Sequence, residues 1–239
     1  MFKTRSSQLE RLDTGDYTPE EYERFLREIS FINRFLGDNR ALRRTLFKQI
    51  EIENPPTFSV LDVGAGSGEM LRSIARFATK QNKTARLCGL ELNARSARAI
   101  IEESKNYSEI EAVRGDAFDL PFGDDAFDYA ICSLFTHHFT DGNLLKILAE
   151  MNRVARRRIF VIDLYRHAAA YFFYKIFCAA FRISPLVRED GSLSILRSFT
   201  PDELETLGRK ANLKAVSVKR CFPFRLVLEG RKMSADEHR

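Results

Sequence analysis

Cysteine and long apolar runs are scarce in this chain of 239 residues. The four cysteines, Cys88, Cys132, Cys178 and Cys221, form no C-x-x-C pair, and no histidines stand at zinc-ligand spacing. This argues against a disulfide framework and a structural zinc site, leaves no metal to be expected, and points to a reducing compartment. The longest apolar stretch, Ala168 to Phe181, is 14 residues broken by Lys175. A bilayer span needs roughly 20, so this segment can make peripheral contact with a membrane but not cross one. Met1 to Glu10 carries charge and no apolar core of signal-peptide length, and the expectation is a cytoplasmic protein. No internal repeat is visible.

Apolar residues make up 44% and charged residues 30%, the balance of a globular protein and too apolar for a disordered one. The length suits one α/β unit. The net charge of +5 is the difference between 38 basic and 33 acidic residues, spread along the chain. The basic run Arg153, Arg156, Arg157 and Arg158 falls between a helix and a strand, where a solvated turn explains it better than a nucleic-acid patch.

Thr18-Pro19-Glu20-Glu21 reads as an N-cap, a proline at the first helical position and a capping-box glutamate. The helix it opens has apolar residues from Tyr22 to Leu36 at helical spacing, with Gly37 to end it. A second helix is expected from Asn39 to Ile50, stopped by Asn54-Pro55-Pro56. From Phe58 onward short Val/Ile/Leu-rich runs alternate with helical stretches, the signature of a parallel sheet. Five strands are expected at Phe58–Val63, Arg86–Leu90, Glu111–Arg114, Phe127–Ser133 and Arg158–Asp163. Helices fall near Glu69–Gln81, Ala94–Lys105 and Gly142–Val154, and Gly115 to Ala126 reads as a loop. An aromatic-rich helix, Tyr165 to about Phe181, then breaks the rhythm and leads to a loop through Pro185 and Asp190-Gly191. Thr200-Pro201-Asp202-Glu203 caps another helix, and strands Lys214–Arg220 and Phe224–Glu229 close the fold. The expected organisation is a helical cap over 1–57, a main domain over 58–230 with an insert at 165–199, and a tail over 231–239.

The sharpest motif is Val60-Leu61-Asp62-Val63-Gly64-Ala65-Gly66-Ser67-Gly68-Glu69, a strand entering a G-x-G-x-G turn that opens a helix. Glycine is needed where φ is positive or a ligand lies against the backbone, and the helix start attracts an anionic group. A dinucleotide fingerprint would place its third glycine one residue later. Glu91, 23 residues beyond Gly68, closes the second strand, where an acid can accept both hydroxyl hydrogens of a ribose. Asp116 follows the third strand, where it can accept from an adenine amino group. All these residues lie at strand carboxyl ends, the ligand-binding edge of open α/β sheets.

With these residues the chain resembles the class I S-adenosylmethionine (SAM)-dependent methyltransferases. The likeness is to the small-molecule branch that includes ubiquinone and menaquinone biosynthesis enzymes. It covers about Phe58 to Glu229, including Gly115-Asp116-Ala117, Leu120-Pro121-Phe122 and Phe127-Asp128. Ser133-Leu134-Phe135-Thr136-His137-His138-Phe139 and the aromatic insert are similar to a bacterial subgroup associated with polyketide and phenolic-lipid tailoring. The resemblance implies a Rossmann-like α/β sheet of seven strands, the last antiparallel, with an N-terminal helical pair and an aromatic helical insert after the fifth strand. It implies SAM as cofactor, with Asp62, Gly64, Gly66 and Gly68 at the methionine end and Ala65 and Leu92 among the further cofactor-binding residues. Glu91 falls at the ribose, Asp116 and Ala117 at adenine, and Ser133 at the far wall.

Cys132-Ser133-Leu134-Phe135 is not the Asn/Asp/Ser-Pro-Pro-Tyr/Phe turn of amino methyltransferases. Cys132, in an apolar strand, is structural rather than nucleophilic. No paired-glutamate loop of the arginine-methyltransferase type follows. Elimination leaves a hydrophobic small-molecule acceptor, with no nucleic acid expected. His137 and His138 stand where an acceptor hydroxyl would need a base. One of the pair is expected to be structural, capping the helix after Asp141 or packing on Phe139, and His138 is favoured as the functional one. Phe135, Tyr165, Arg166, Tyr171 and Phe172 are candidates for the acceptor wall, with Asp163 orienting the acceptor or capping the next helix. The aromatic insert reads as a lid, against the alternative of a helix buried all round. Rival functions are an RNA methyltransferase, suggested by an isoelectric point of 9.1, and a catalytically inactive SAM-binding partner protein.

Overall fold

The computed structural model describes residues 2–35 and 38–232. Leu36, the helix-ending Gly37 and residues 233–239 of the expected tail lie outside the described residues. A short helix, α1 (Arg11–Thr14), precedes α2 (Pro19–Phe35). The capping box at the start of α2 is present: the Glu21 backbone N–H donates to Thr18 Oγ1 at 3.2 Å, and Glu21 Oε2 accepts from the Thr18 N–H at 2.9 Å. The expected second helix is α3 (Asp38–Leu42), a π-helical turn (Arg43–Phe47) and α4 (Lys48–Glu53). It ends on Asn54 in the left-handed region, φ 45°, before Pro55.

The α/β alternation follows as β1 (Thr57–Val63), α5 (Glu69–Lys80), β2 (Thr84–Glu91), α6 (Ala94–Glu103), β3 (Ile110–Arg114) and β4 (Phe127–Ser133). After a 3₁₀ turn at Thr136–His138 come α7 (Asp141–Val154) and β5 (Ala155–Leu164), then α8 (Ala168–Ala180), α9 (Pro185–Arg197) and α10 (Pro201–Lys210). The chain closes the sheet with β6 (Lys214–Cys221) and β7 (Arg225–Arg231). The strand order is β3-β2-β1-β4-β5-β7-β6. β7 is antiparallel to both β5 and β6, and the other pairings are parallel. Central β1 is flanked by β2 and β4, so its carboxyl end, with the glycine turn, stands mid-sheet at the topological switch point. Apolar clusters cover both faces: Leu144, Ile147, Leu148 and Met151 of α7 on one, Leu71, Ile74 and Ile100 of α5 and α6 on the other.

Two expectations for the insert are corrected. The loop expected through Asp190-Gly191 is the interior of helix α9. Gly191 is there for closeness: a Cβ on it would lie 2.1 Å from the Tyr174 hydroxyl, which donates to the Val187 carbonyl at 2.7 Å. The insert is thus a helical hairpin, with Ala170, Tyr174, Cys178, Val187 and Ile195 packed against Ile32 of α2. Its first helix starts at Ala168 rather than Tyr165. Tyr165 and Arg166 are held extended by N–H bonds to the Phe224 and Phe199 carbonyls, and His167 Nδ1 accepts from the Ala169 N–H at 3.1 Å as the N-cap. The basic run is matched by acids: Arg153 pairs with Glu150, Arg156 with Asp128, Arg157 with Glu53 and Asp128, and Arg158 with Glu229.

Candidate active site

At the carboxyl end of β1 the chain turns through Gly64 (φ 72°) and Gly66 (φ 59°) into Gly68 (φ 82°), which begins α5. These backbone angles are cheap only for glycine. Gly64 has a second constraint, because a Cβ there would lie 2.6 Å from the Phe135 ring. The turn is tied to β2 twice. The N–H groups of Gly64 and Ala65 donate to the Leu90 carbonyl, and the Gly66 N–H donates to Glu91 Oε1 at 2.5 Å.

Asp62 is 1% exposed, and neither carboxylate oxygen has a hydrogen-bond partner among the described residues. Burial, with a smaller push from Glu91, raises its pKa to about 8. Burial also raises that of Glu91, against the opposing Gly66 and Leu92 N–H contacts. Ser133 Oγ is likewise buried without a partner. A buried, unpaired carboxylate is costly unless a donor or cation comes to it, and Asp62 and Ser133 both border one large cavity.

Past Ser133, Leu134 takes a left-handed φ of 50° and sends the chain into the 3₁₀ turn. Asp163, at the end of β5 and fully buried, gathers four donors there: the Thr136 hydroxyl, the His137 N–H at 3.0 Å, the Leu164 N–H at 2.7 Å, and His137 Nδ1 at 2.7 Å. Burial opposes ionisation, but His137 and these bonds overcome it and hold the Asp163 carboxyl at about 2. The ionised carboxylate fixes the His137 proton on Nδ1 and leaves Nε2 as the acceptor. His138 stacks on His137 with ring centroids 4.2 Å apart, and its Nδ1 lies 3.4 Å from Asp13 and 4.0 Å from Glu10. Neither histidine caps α7; Thr140 does, accepting from the Asn143 N–H.

The cavity, about 1110 Å³, extends from Asp62 and the glycine turn past Ser133, Leu134, His137 and His138 to the insert. That volume exceeds the usual range for one small ligand, roughly 300–1,000 Å³. Tyr165 borders it. Phe135 does not; it fills the space over Gly64 and meets Phe139 edge-on. Asp163 lies behind His137 and serves that ring rather than the acceptor. The Arg166 side chain is fully buried and donates to the Phe2 and Ser198 carbonyls and to Glu203, which makes it structural. Tyr171 and Phe172 are turned from the cavity by the helical period, and Ala170, Phe173 and Tyr174 face it instead. Asp116 and Ala117 lie past β3, outside the cavity, with Asp116 accepting from the Phe118 N–H at 2.9 Å. Leu92 is exposed beside Glu91, and neither is among the residues lining the cavity.

One wall was not foreseen. Glu10 and Leu12, with Tyr22, Phe25, Ile29 and Ile32 of α2, line the cavity from the N-terminal side. Ion pairs hold this segment down: Arg197 Nη1 lies 2.5 Å from Asp13 and 3.6 Å from Glu10, and Arg5 reaches Asp141 and the Phe139 carbonyl. Donor atoms of Glu10, His137 and His138 lie within 4.8 Å of one another, but the Arg197 guanidinium already brings a cation to Glu10. Asp38 and Arg225, a buried pair at 2.5 Å, also border the cavity. None of these contacts carries a sequence motif.

A seven-stranded sheet of this order, with a glycine turn after central β1 and acids ending β1 and β2, is the class I methyltransferase architecture. Residues 60–158 match the family model described as a methyltransferase domain. The chain is 30% identical over 110 residues to demethylmenaquinone methyltransferase of Bacillus licheniformis, covering 46% of this chain and 45% of that one. To the Staphylococcus carnosus enzyme of the same name it is 27% identical over 118 residues, covering 49% and 46%. The chain spans about half the length of the curated relatives it matches. Among solved structures it resembles magnesium protoporphyrin IX methyltransferase of Synechocystis with bound S-adenosylhomocysteine (TM-score 0.62, 14% identity, 90% of this chain and 95% of that one). It also resembles a SAM-dependent methyltransferase of Aquifex aeolicus (TM-score 0.56, 16% identity, 84% and 96%). At those identities the likeness is one of fold. The chain thus has the fold of class I SAM-dependent methyltransferases, with a methyltransferase-domain match over residues 60–158, and SAM is the cofactor against which its residues are to be judged. The residues fit it: an unpaired buried carboxylate at Asp62, a turn open to a ligand at Gly66, where a Cβ would meet nothing within 4 Å, and Glu91 beside that turn.

Proposed function

We propose that the protein moves the methyl group of SAM to a hydroxyl of a hydrophobic small molecule such as a phenol, quinol or polyketide. The observation that carries this reading is the Asp163–His137 pair, which sets an acceptor nitrogen on the wall of the cavity that also contains Asp62 and the glycine turn. When bound, SAM supplies an electrophilic methyl carbon. Asp62, the glycine turn and Glu91 hold it, and Ser133 offers a hydroxyl on the far wall. His137 Nε2 takes the proton that an acceptor hydroxyl loses during attack, and Asp163 stabilises the imidazolium that results. The base is therefore assigned to His137, where the sequence favoured His138; His138 packs on the His137 ring and meets the N-terminal acids.

Tyr165, Phe173 and Tyr174 with Phe25, Ile29 and Ile32 give the acceptor end an aromatic and aliphatic lining, suited to a flat or lipidic acceptor. The names of the curated relatives favour a quinone-derived acceptor and admit a ring carbon as the second methylation site. A screen of phenols, quinols and alkylresorcinols with methyl-labelled SAM tests the proposal, with product analysis separating O- from C-methylation. SAM binding without turnover of any of these classes, at any pH at which the protein is folded, would favour a binding role instead.

A further inference from the structure

The outward face of α8 is apolar where a surface helix is ordinarily polar. Ala169, Phe172, Ile176 and Ala179 recur along one exposed stripe, with Phe172 57% and Ile176 69% exposed. The opposite stripe, Ala170, Tyr174 and Cys178, is the one buried against α9 and Ile32. Both faces of α8 are therefore apolar, and among the described residues only one is covered. Clustered exposed apolar surface of this kind marks a site of interaction.

Charge and position identify the occupant. No acidic residue occurs between Leu164 and Arg188, and the exposed charges flanking the stripe are Lys175 and Arg182. Phe173, on the same helix, is 44% exposed and also lines the cavity, so the apolar surface continues into the acceptor space. No described helix is long and apolar enough to cross a membrane. We infer that α8 docks in the plane of an anionic lipid bilayer. Phe172 and Ile176 enter the headgroup boundary, Lys175 and Arg182 lie among the phosphates, and the cavity mouth at Phe173 opens toward the lipid. Amphipathic helices bind membranes through this combination of buried apolar area and basic charge. The inference concerns the surface alone and does not require the methyl-transfer reading.

Flotation of the full chain with phosphatidylcholine vesicles, with and without phosphatidylglycerol, tests it. Binding is expected to the anionic vesicles and to weaken with added salt. Ile176→Glu, or Phe172→Glu, should reduce the bound fraction by about tenfold or more, and Lys175→Glu should do so less. These side chains are exposed and outside the cavity lining, so SAM affinity and melting temperature should not change. Ile52→Glu, at an exposed apolar residue of α4, should bind as the parent does. Absence of parent binding to anionic vesicles overturns the inference, as does binding indifferent to Ile176→Glu. A concentration-dependent dimer abolished by Ile176→Glu, without vesicle binding, would overturn it and assign the face to a second copy of the chain.

Discussion

Asp62 and Glu91 end adjacent parallel strands, in register through Val63 and Leu90, and burial raises the pKa of both. A carboxyl whose pKa rises from 3.8 in the unfolded chain to about 8 in the folded one takes up a proton on folding. Its contribution to stability is full below the lower value and is lost as pH rises through the higher one. The ligand-free protein should therefore lose melting temperature between about pH 4 and 8 relative to Asp62→Asn, which keeps the shape without the charge. Thermal denaturation of both proteins across that range checks it; parallel curves would show Asp62 ionised at no cost.

Glu91→Ala should weaken SAM binding by about 1–3 kcal/mol, the range for losing a charged hydrogen-bond partner. The variant also loses the bond to the Gly66 N–H, so the turn should become more mobile in the free protein. Calorimetric titration of a folded variant with unchanged affinity would remove Glu91 from the cofactor site.

His137→Ala should lower turnover of a hydroxyl acceptor by roughly 10²–10⁴-fold with SAM affinity intact. Asp163→Asn should show a loss of the same kind, because an amide at that position no longer fixes the His137 proton on Nδ1 or stabilises the imidazolium. His138→Ala should cost less than either. Steady-state kinetics on the three variants decide the assignment, and a turnover loss confined to His138→Ala would return the role of base to that residue.

Gly191→Ala should destabilise the protein by about 1–3 kcal/mol, the usual cost of overpacking. Its methyl group would enter the space of the Tyr174 hydroxyl. Tyr174→Phe in the same background should recover part of the loss by vacating that space. Denaturant melts of the single and double variants measure the coupling, and additive effects would show that the two side chains do not meet.

The parallel sheet was legible because its signals are local. Val60 to Val63 is a buried run, the three glycines are spaced for one turn, and Thr200 to Glu203 is a capping box whose bonds form within four residues. Asp190-Gly191 misled because the pair reads as a turn, whereas packing against Tyr174 is what requires the glycine. In Tyr171 and Phe172 aromatic density was visible but phase was not. A helix advances about 100° per residue, so neighbours of similar chemistry point to different places. Arg166 looked like an acceptor contact because nothing near it in sequence announces Glu203 or the Ser198 carbonyl. The N-terminal wall was invisible for the same reason: Glu10, Asp13 and Arg5 meet residues more than 100 positions away, and such pairing leaves no period in the chain.

That separation sets an order of events during synthesis. Arg5, Glu10, Arg11 and Asp13 emerge from the ribosome long before Asp190, Ser194 and Arg197, the groups that receive them. By then β1 to β5 have all been translated and the sheet can begin to assemble, while the first residues must wait without their partners. Closing connections of 179 to 192 residues is slow compared with forming neighbouring βα units. The roof of the cavity is accordingly among the last parts to settle.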